Sequence, residues 1–195
     1  MTSTRPRLTA EERRQAVLDT ACRVFSRSSY RGATTAEIAR EAGITEPILY
    51  RHFGSKRDLY LACLEEAWRD LRAVSEDAVR KSPETCLGAV ADAYMERRSK
   101  LRLVDLWVQA LSESEDPVIA KALRRQIREV HAFFADLIRD GQERGVVAAD
   151  RDPVAEGWIF IAGGLLATMD ARLGIVGDEL LRVRAERRRW MQAGD

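Results

Sequence analysis

The sequence predicts an all-α protein, and three observations carry that prediction. Apolar residues recur at helical spacing along most of the 195-residue chain. Helix-start signatures recur as well: Thr9 with Glu12, Thr34 with Glu37, Ser55, Asp116-Pro117 and Asp152-Pro153. Strand signal is confined to "GVVAAD" at 145–150, too short to seed a sheet.

The first helix is expected to open at Thr9 and to place Val17, Leu18, Ala21, Cys22, Val24 and Phe25 at helical spacing. It should end across 26–30, with Gly32 in the loop. A short second helix opens at Thr34, offers Ile38, Ala39 and Ala42 as its apolar face, and stops at Gly43. A third opens at Thr45 and ends near Phe53–Gly54. Pro47 falls in its first turn, where a missing N–H does no harm. Ser55 caps a long fourth helix through Leu59, Leu64, Trp68 and Leu71, with a break near Pro83. Further helices are expected at about 84–99, 101–113, 117–144, 153–173 and 178–191, giving about nine. Gly145 and Gly174 are the expected stops. The chain divides into a three-helix head at 9–69, holding a helix-turn-helix at about 33–52, and a larger helical domain at 70–195.

Composition narrows the class. Hydrophobic residues make up 46% and charged residues 32%, enough for a core and unlike a membrane protein. The longest apolar run, Trp158 to Met169 between Glu156 and Asp170, falls short of the roughly 20 residues that span a bilayer. The N-terminus lacks the apolar stretch of a signal peptide. Cys22, Cys63 and Cys86 show no zinc or disulfide spacing, so reduced thiols and a cytoplasmic location are expected. A net charge of +1 hides an asymmetry: residues 1–57 hold 11 Lys/Arg against 6 Asp/Glu, or +5, and the remainder 21 against 25, or −4. A basic head on an acidic body suits a polyanion at the head alone, although chance clustering of solvated charges fits too.

The head offers a matching surface. If Ile38, Ala42, Ile44, Leu49 and Phe53 bury against the first helix, then Thr45, Glu46, Pro47, Tyr50 and Arg51 lie on or beside the free face of the third. A DNA major groove admits one helix, whose first turn reaches base edges. Thr34, Thr35, Tyr50, His52 and Lys56 are donors suited to phosphates, which position a protein without reading sequence. Glu46 could accept from cytosine N4 or serve only the helix dipole. Ile48 could touch a thymine methyl or join the core. Arg5 and Arg7 could reach a minor groove or float in solvent.

The segment "TTAEIAREAGITEPILYRHFGSKRDL" resembles the DNA-binding signature of the TetR family of bacterial transcriptional regulators. The paired threonines, "I-A-x-x-A-G-I", "L-Y-x-H-F" and "S-K-x-x-L" match at fixed spacing, within a likeness that covers roughly 9–70. The resemblance implies an all-α homodimer on a palindromic double-stranded operator, usually a repressor, released by a small molecule held in the larger domain. It places phosphate contacts on Thr34 or Thr35, Tyr50, His52 and Lys56, and base reading on Thr45, Glu46 and Pro47. Glu46 departs from the pattern, since many members carry a basic or neutral polar residue there.

For the larger domain, the expected effector pocket is apolar and aromatic, drawing on Tyr94, Trp107, Gln109, His131, Phe134 and Trp158. Each of these would serve equally as core or surface. The resemblance places the dimer interface on about 153–173 and 178–191. "EGWIFIAGGLLATMDARLG" is apolar nearly all round, and Gly163 and Gly164 would allow close helix approach. No cofactor, metal or membrane partner is expected. No catalytic or nucleotide-binding motif is present, and one of the two histidines lies in the helix-turn-helix. A redox sensor at Cys63 or Cys86, an enzyme or carrier with a DNA-like head, and a regulator answering to a protein partner are the weaker readings.

Overall fold

All nine regular elements are helices among the residues that the structure, a computed structural model, describes: 9–192 except Cys86, Ser99 and Ser114. α1 (Ala10–Arg27) starts at a complete capping box. Thr9 Oγ1 accepts the Glu12 N–H at 3.2 Å, and the Glu12 carboxylate accepts the Thr9 N–H at 2.7 Å. α2 (Thr35–Glu41) and α3 (Glu46–His52) are separated by a turn in which Gly43 stands at φ 68°, a left-handed conformation that glycine adopts without steric cost. α4 (Lys56–Lys81) begins where Ser55 Oγ accepts the Asp58 N–H at 3.0 Å. α5 (Leu87–Arg97), α6 (Leu103–Leu111), α7 (Pro117–Glu143), α8 (Pro153–Leu173) and α9 (Glu179–Met191) follow. Asp116 and Asp152 cap α7 and α8 through the N–H groups of Val118 and Val154, each at 2.9 Å.

The chain separates into two compact units. One runs up to Ala67 and takes in Asp105–Ala122; the other holds Trp68–Val104 and everything from Leu123 onward. Residues 105–122, expected to serve the larger domain, therefore belong with the head.

In the first unit the buried residues are those the helical spacing singles out on α1, joined by Ile38, Ala39, Leu49 and Phe53 and by Leu59, Tyr60, Cys63 and Leu64 of α4. Ile44 and Ala42 are not part of this core, because the Gly43 turn carries them to the rim. Ile48 is exposed, which removes the core role left open for it. From 105–122, Leu106, Trp107, Ala110 and Ile119 are buried, and the Tyr60 hydroxyl donates to the Leu106 carbonyl at 2.7 Å.

In the second unit, Leu87, Ile138, Val147 and Met191 form a buried cluster edged by Val79, Val146 and Phe160. The "GVVAAD" segment makes no sheet, but Val147 bridges antiparallel to Gln192 and the Ala148 N–H donates to Met191 C=O at 3.0 Å. This pins the end of α9. Arg187 pairs with the buried carboxylate of Glu156, and Arg184 and Arg188 both reach Asp92, so α9 is tied to α8 and α5.

α8, at 21 residues, is long and apolar enough by length and composition to cross a membrane, because Glu156, Asp170 and Arg172 fall near its ends and do not shorten it. Cys22 and Cys63 are free and buried, and burial pushes the Cys63 thiol up, which disfavours the reactive thiolate. Cys86, Arg5 and Arg7 lie outside the described residues.

Candidate nucleic-acid interface

Leu49 is the anchor of α3. Its side chain is fully buried, while Thr45, Pro47, Ile48, Tyr50 and Arg51 around it are exposed. Helical geometry makes this unavoidable, because residues one and two positions from a buried one point elsewhere. Thr45 is the N-cap and makes no side-chain capping bond, so its hydroxyl is not spent on the helix. The outer surface of α3 thus presents a hydroxyl, two apolar groups, a phenol and a guanidinium. His52, at the C-terminal end, is half-buried.

The paired threonines divide their work. Thr34 is exposed, and its Oγ1 accepts the Glu37 N–H at 3.0 Å as the cap of α2. Thr35 is only 8% exposed. Its hydroxyl donates to the Glu46 carboxylate and lies 3.1 Å from the Tyr50 hydroxyl. Glu46 is therefore folded back toward α2, and Tyr50 is steadied while remaining 44% exposed. Residue type alone could not reveal this, since Thr35 and Glu46 are eleven positions apart.

Lys56 is half-buried, with its ammonium 4.7 Å above the ring of Tyr30. Burial pulls its pKa down, and the charge of Glu113 pushes it back up. Glu113 is itself buried and accepts from Arg31 Nε at 3.1 Å. Glu113 and Asp116 are both acids just ahead of the start of α7. Asp116 does cap α7, which holds its carboxyl below the usual range, but Glu113 is turned into the first unit. Nothing in the sequence distinguishes the two.

Of the six expected effector residues, Trp107 and Gln109 lie on α6 in the first unit, Trp107 buried and Gln109 half-buried. Tyr94, His131, Phe134 and Trp158 lie in the second. Phe134 is buried and packs on Phe133 and on Phe160, whose ring centroid is 4.3 Å away. Trp158 faces outward, 45% exposed, and stacks on His131 at 4.2 Å, while His131 Nε2 is 2.9 Å from the Val154 carbonyl. Tyr94 is half-buried on α5. A groove of about 460 Å³ in the second unit is lined instead by Asp92, Leu181, Arg184, Ala185, Arg188 and Arg189.

Residues 17–63 match the family described as "Bacterial regulatory proteins, tetR family". The chain is 33% identical over 107 residues to the uncharacterized HTH-type transcriptional regulator TtgW of Pseudomonas putida, covering 54% of this chain and 80% of that relative. The chain belongs to the TetR family. This TetR-family chain is also 37% identical over 92 residues to the HTH-type transcriptional activator FasR of Mycolicibacterium smegmatis, across 46% of this chain and 42% of FasR, so it spans less than half of that relative. A TetR transcriptional regulator from Chloroflexus aurantiacus shares the fold, with a TM-score of 0.78 at 23% identity over 94% of this chain and 98% of that one. The TetR family consists of transcriptional regulators, not enzymes.

Proposed function

We propose that this chain is a DNA-binding transcriptional regulator that works as a homodimer, a repressor displaced from a palindromic operator by a small apolar or aromatic effector. The observation that carries the reading is α3: a helix anchored by Leu49, with Thr45, Pro47, Ile48, Tyr50 and Arg51 free to meet a groove. Thr34, Tyr50, His52 and Lys56 are the proposed phosphate contacts. Thr45, Pro47 and Ile48 are the proposed base-edge contacts, the last two toward thymine methyls. Glu46, bonded to Thr35, supports the helix and does not read a base. A protein that regulates transcription in a bacterium works in the cytoplasm.

Dimerisation is supported by the outward face of α8 and α9. Trp158, Ile159, Met169, Leu173, Leu181 and Val183 are exposed apolar side chains on these two helices, which a partner's surface would cover. Gly163 has open space where its Cβ would stand, which gives a second copy close access to the backbone. Two-fold assembly also matches a two-fold operator. The apolar effector is supported by the aromatic group Trp68, Phe133, Phe134 and Phe160 of the second unit.

Selecting bound duplexes from a random pool, then screening apolar and aromatic metabolites for release, tests the reading. Enrichment of a palindrome supports it. A protein that retains no duplex at physiological salt contradicts it. A reporter fused to the selected operator assigns repression or activation.

A further inference from the structure

Glu113 is a buried acid that neither the recognition helix nor the dimer face uses. It is 5% exposed, in the segment between α6 and α7 that packs within the first unit. A buried carboxylate is costly unless cations answer it. Arg31, three residues ahead of Thr34, donates to it from Nε at 3.1 Å. Lys56, the first residue of α4, lies over the adjacent Tyr30 ring and feels the same carboxylate. Arg57 reaches Asp116 at 3.4 Å and Tyr60 reaches Leu106, so the segment is fastened to α4 on both sides of Glu113.

We propose that Glu113 is a positioning residue for Arg31: it holds that cation ahead of α2 and subtracts one charge from the field that Arg31 and Lys56 offer to a phosphate backbone. The proposal rests on the DNA-binding reading and deepens it. Two cations left without Glu113 would hold any polyanion more tightly. With it, backbone affinity is restrained and base contacts by α3 take a larger share of binding.

The test compares full-length wild type, Glu113→Gln, Lys56→Ala and the double variant on the selected operator and on a random-sequence duplex, across a salt series. Glutamine keeps an acceptor for Arg31 and removes only the charge. Glu113→Gln is expected to bind both duplexes about threefold more tightly at low salt, the effect of one charge at several ångströms in a water-like dielectric. The gain is expected to persist in the Lys56→Ala background, where Arg31 is still freed, and to shrink as salt rises, which a purely structural role would not produce. Unchanged or weaker binding by Glu113→Gln, or a gain that rising salt does not diminish, overturns the proposal. Should Glu113→Gln not fold, the exposed Arg31 gives the converse test. Arg31→Gln is expected to weaken both duplexes about threefold by the same reasoning, and equal binding overturns the idea. Wild type that binds neither duplex removes the DNA-binding reading itself, and this inference with it.

Discussion

The hydroxyl of Thr35 donates to the carboxylate of Glu46, joining the first residue of α2 to the first residue of α3. This bond ties the recognition helix to α2 across the Gly43 turn. It also draws the one acidic side chain of that helix away from the surface a groove would meet. Tyr50, on the same hydroxyl at 3.1 Å, is oriented by it.

Thr35→Val therefore removes a donor and leaves a partly buried carboxylate with one partner fewer. The expected cost is about 1 kcal/mol. That corresponds to a melting temperature lower by about 2–4 °C for a chain of this size. Calorimetry of the variant checks it, and an unchanged transition would mean the bond carries no net stability.

Glu46→Gln should leave base preference as it is, because the side chain is committed to Thr35. Binding to every operator variant is expected to change by one common factor. A preference altered at a single base pair, measured on a panel of point-substituted operators, would put Glu46 in the groove after all.

Much of the fold was legible because helix boundaries rest on local chemistry. Thr9 with Glu12, Ser55, Asp116 and Asp152 act at caps, and Gly145 and Gly174 take the left-handed conformation just past α7 and α8. What was not legible depends on pairs distant in sequence. Thr35 and Thr34 look alike in the sequence, and only the tertiary position of Glu46 gives them different work. Glu113 and Asp116 look like one acidic cap, yet only Arg31, 82 residues away, marks Glu113 as a buried partner. The aromatic residues posed the same difficulty: helical spacing put Phe134 and Trp158 on equal terms, but one is core and the other faces outward.

Lys56→Ala should lower affinity for all sequences alike. The slope of log affinity against log salt should flatten by about one, the signature of a lost phosphate contact. A sequence-selective loss with an unchanged slope would reassign Lys56.

Gly163→Arg tests the dimer face with little risk to the fold, since nothing stands within 4 Å of where the new Cβ would be. Wild type is expected to sediment at twice the 22.0 kDa chain mass and the variant at the chain mass. A variant that stays dimeric would place the interface elsewhere.

Asp170 accepts from the N–H groups of Val176 at 2.8 Å and Gly177 at 3.0 Å, closing the turn after α8. The Gly177 and then the Val176 bond hold its carboxyl below the ordinary 3.8. A depressed folded-state pKa means the contribution is full above that ordinary value and is lost as pH falls through the folded one. Wild type should exceed Asp170→Asn in denaturant midpoint at pH 6, with the gap closing as pH falls below the ordinary 3.8 and the carboxyl protonates. A gap that does not vary with pH would assign the effect to shape, not charge.

The most direct measurement is equilibrium binding of the full-length protein to its selected duplex and to a scrambled duplex at about 0.15 M salt. The account predicts a two-fold site with half-site centres about 34 Å, one DNA turn, apart. It also predicts a preference of at least about a thousandfold over the scrambled sequence. Equal affinity for the two duplexes, or binding without two-fold symmetry, would contradict it.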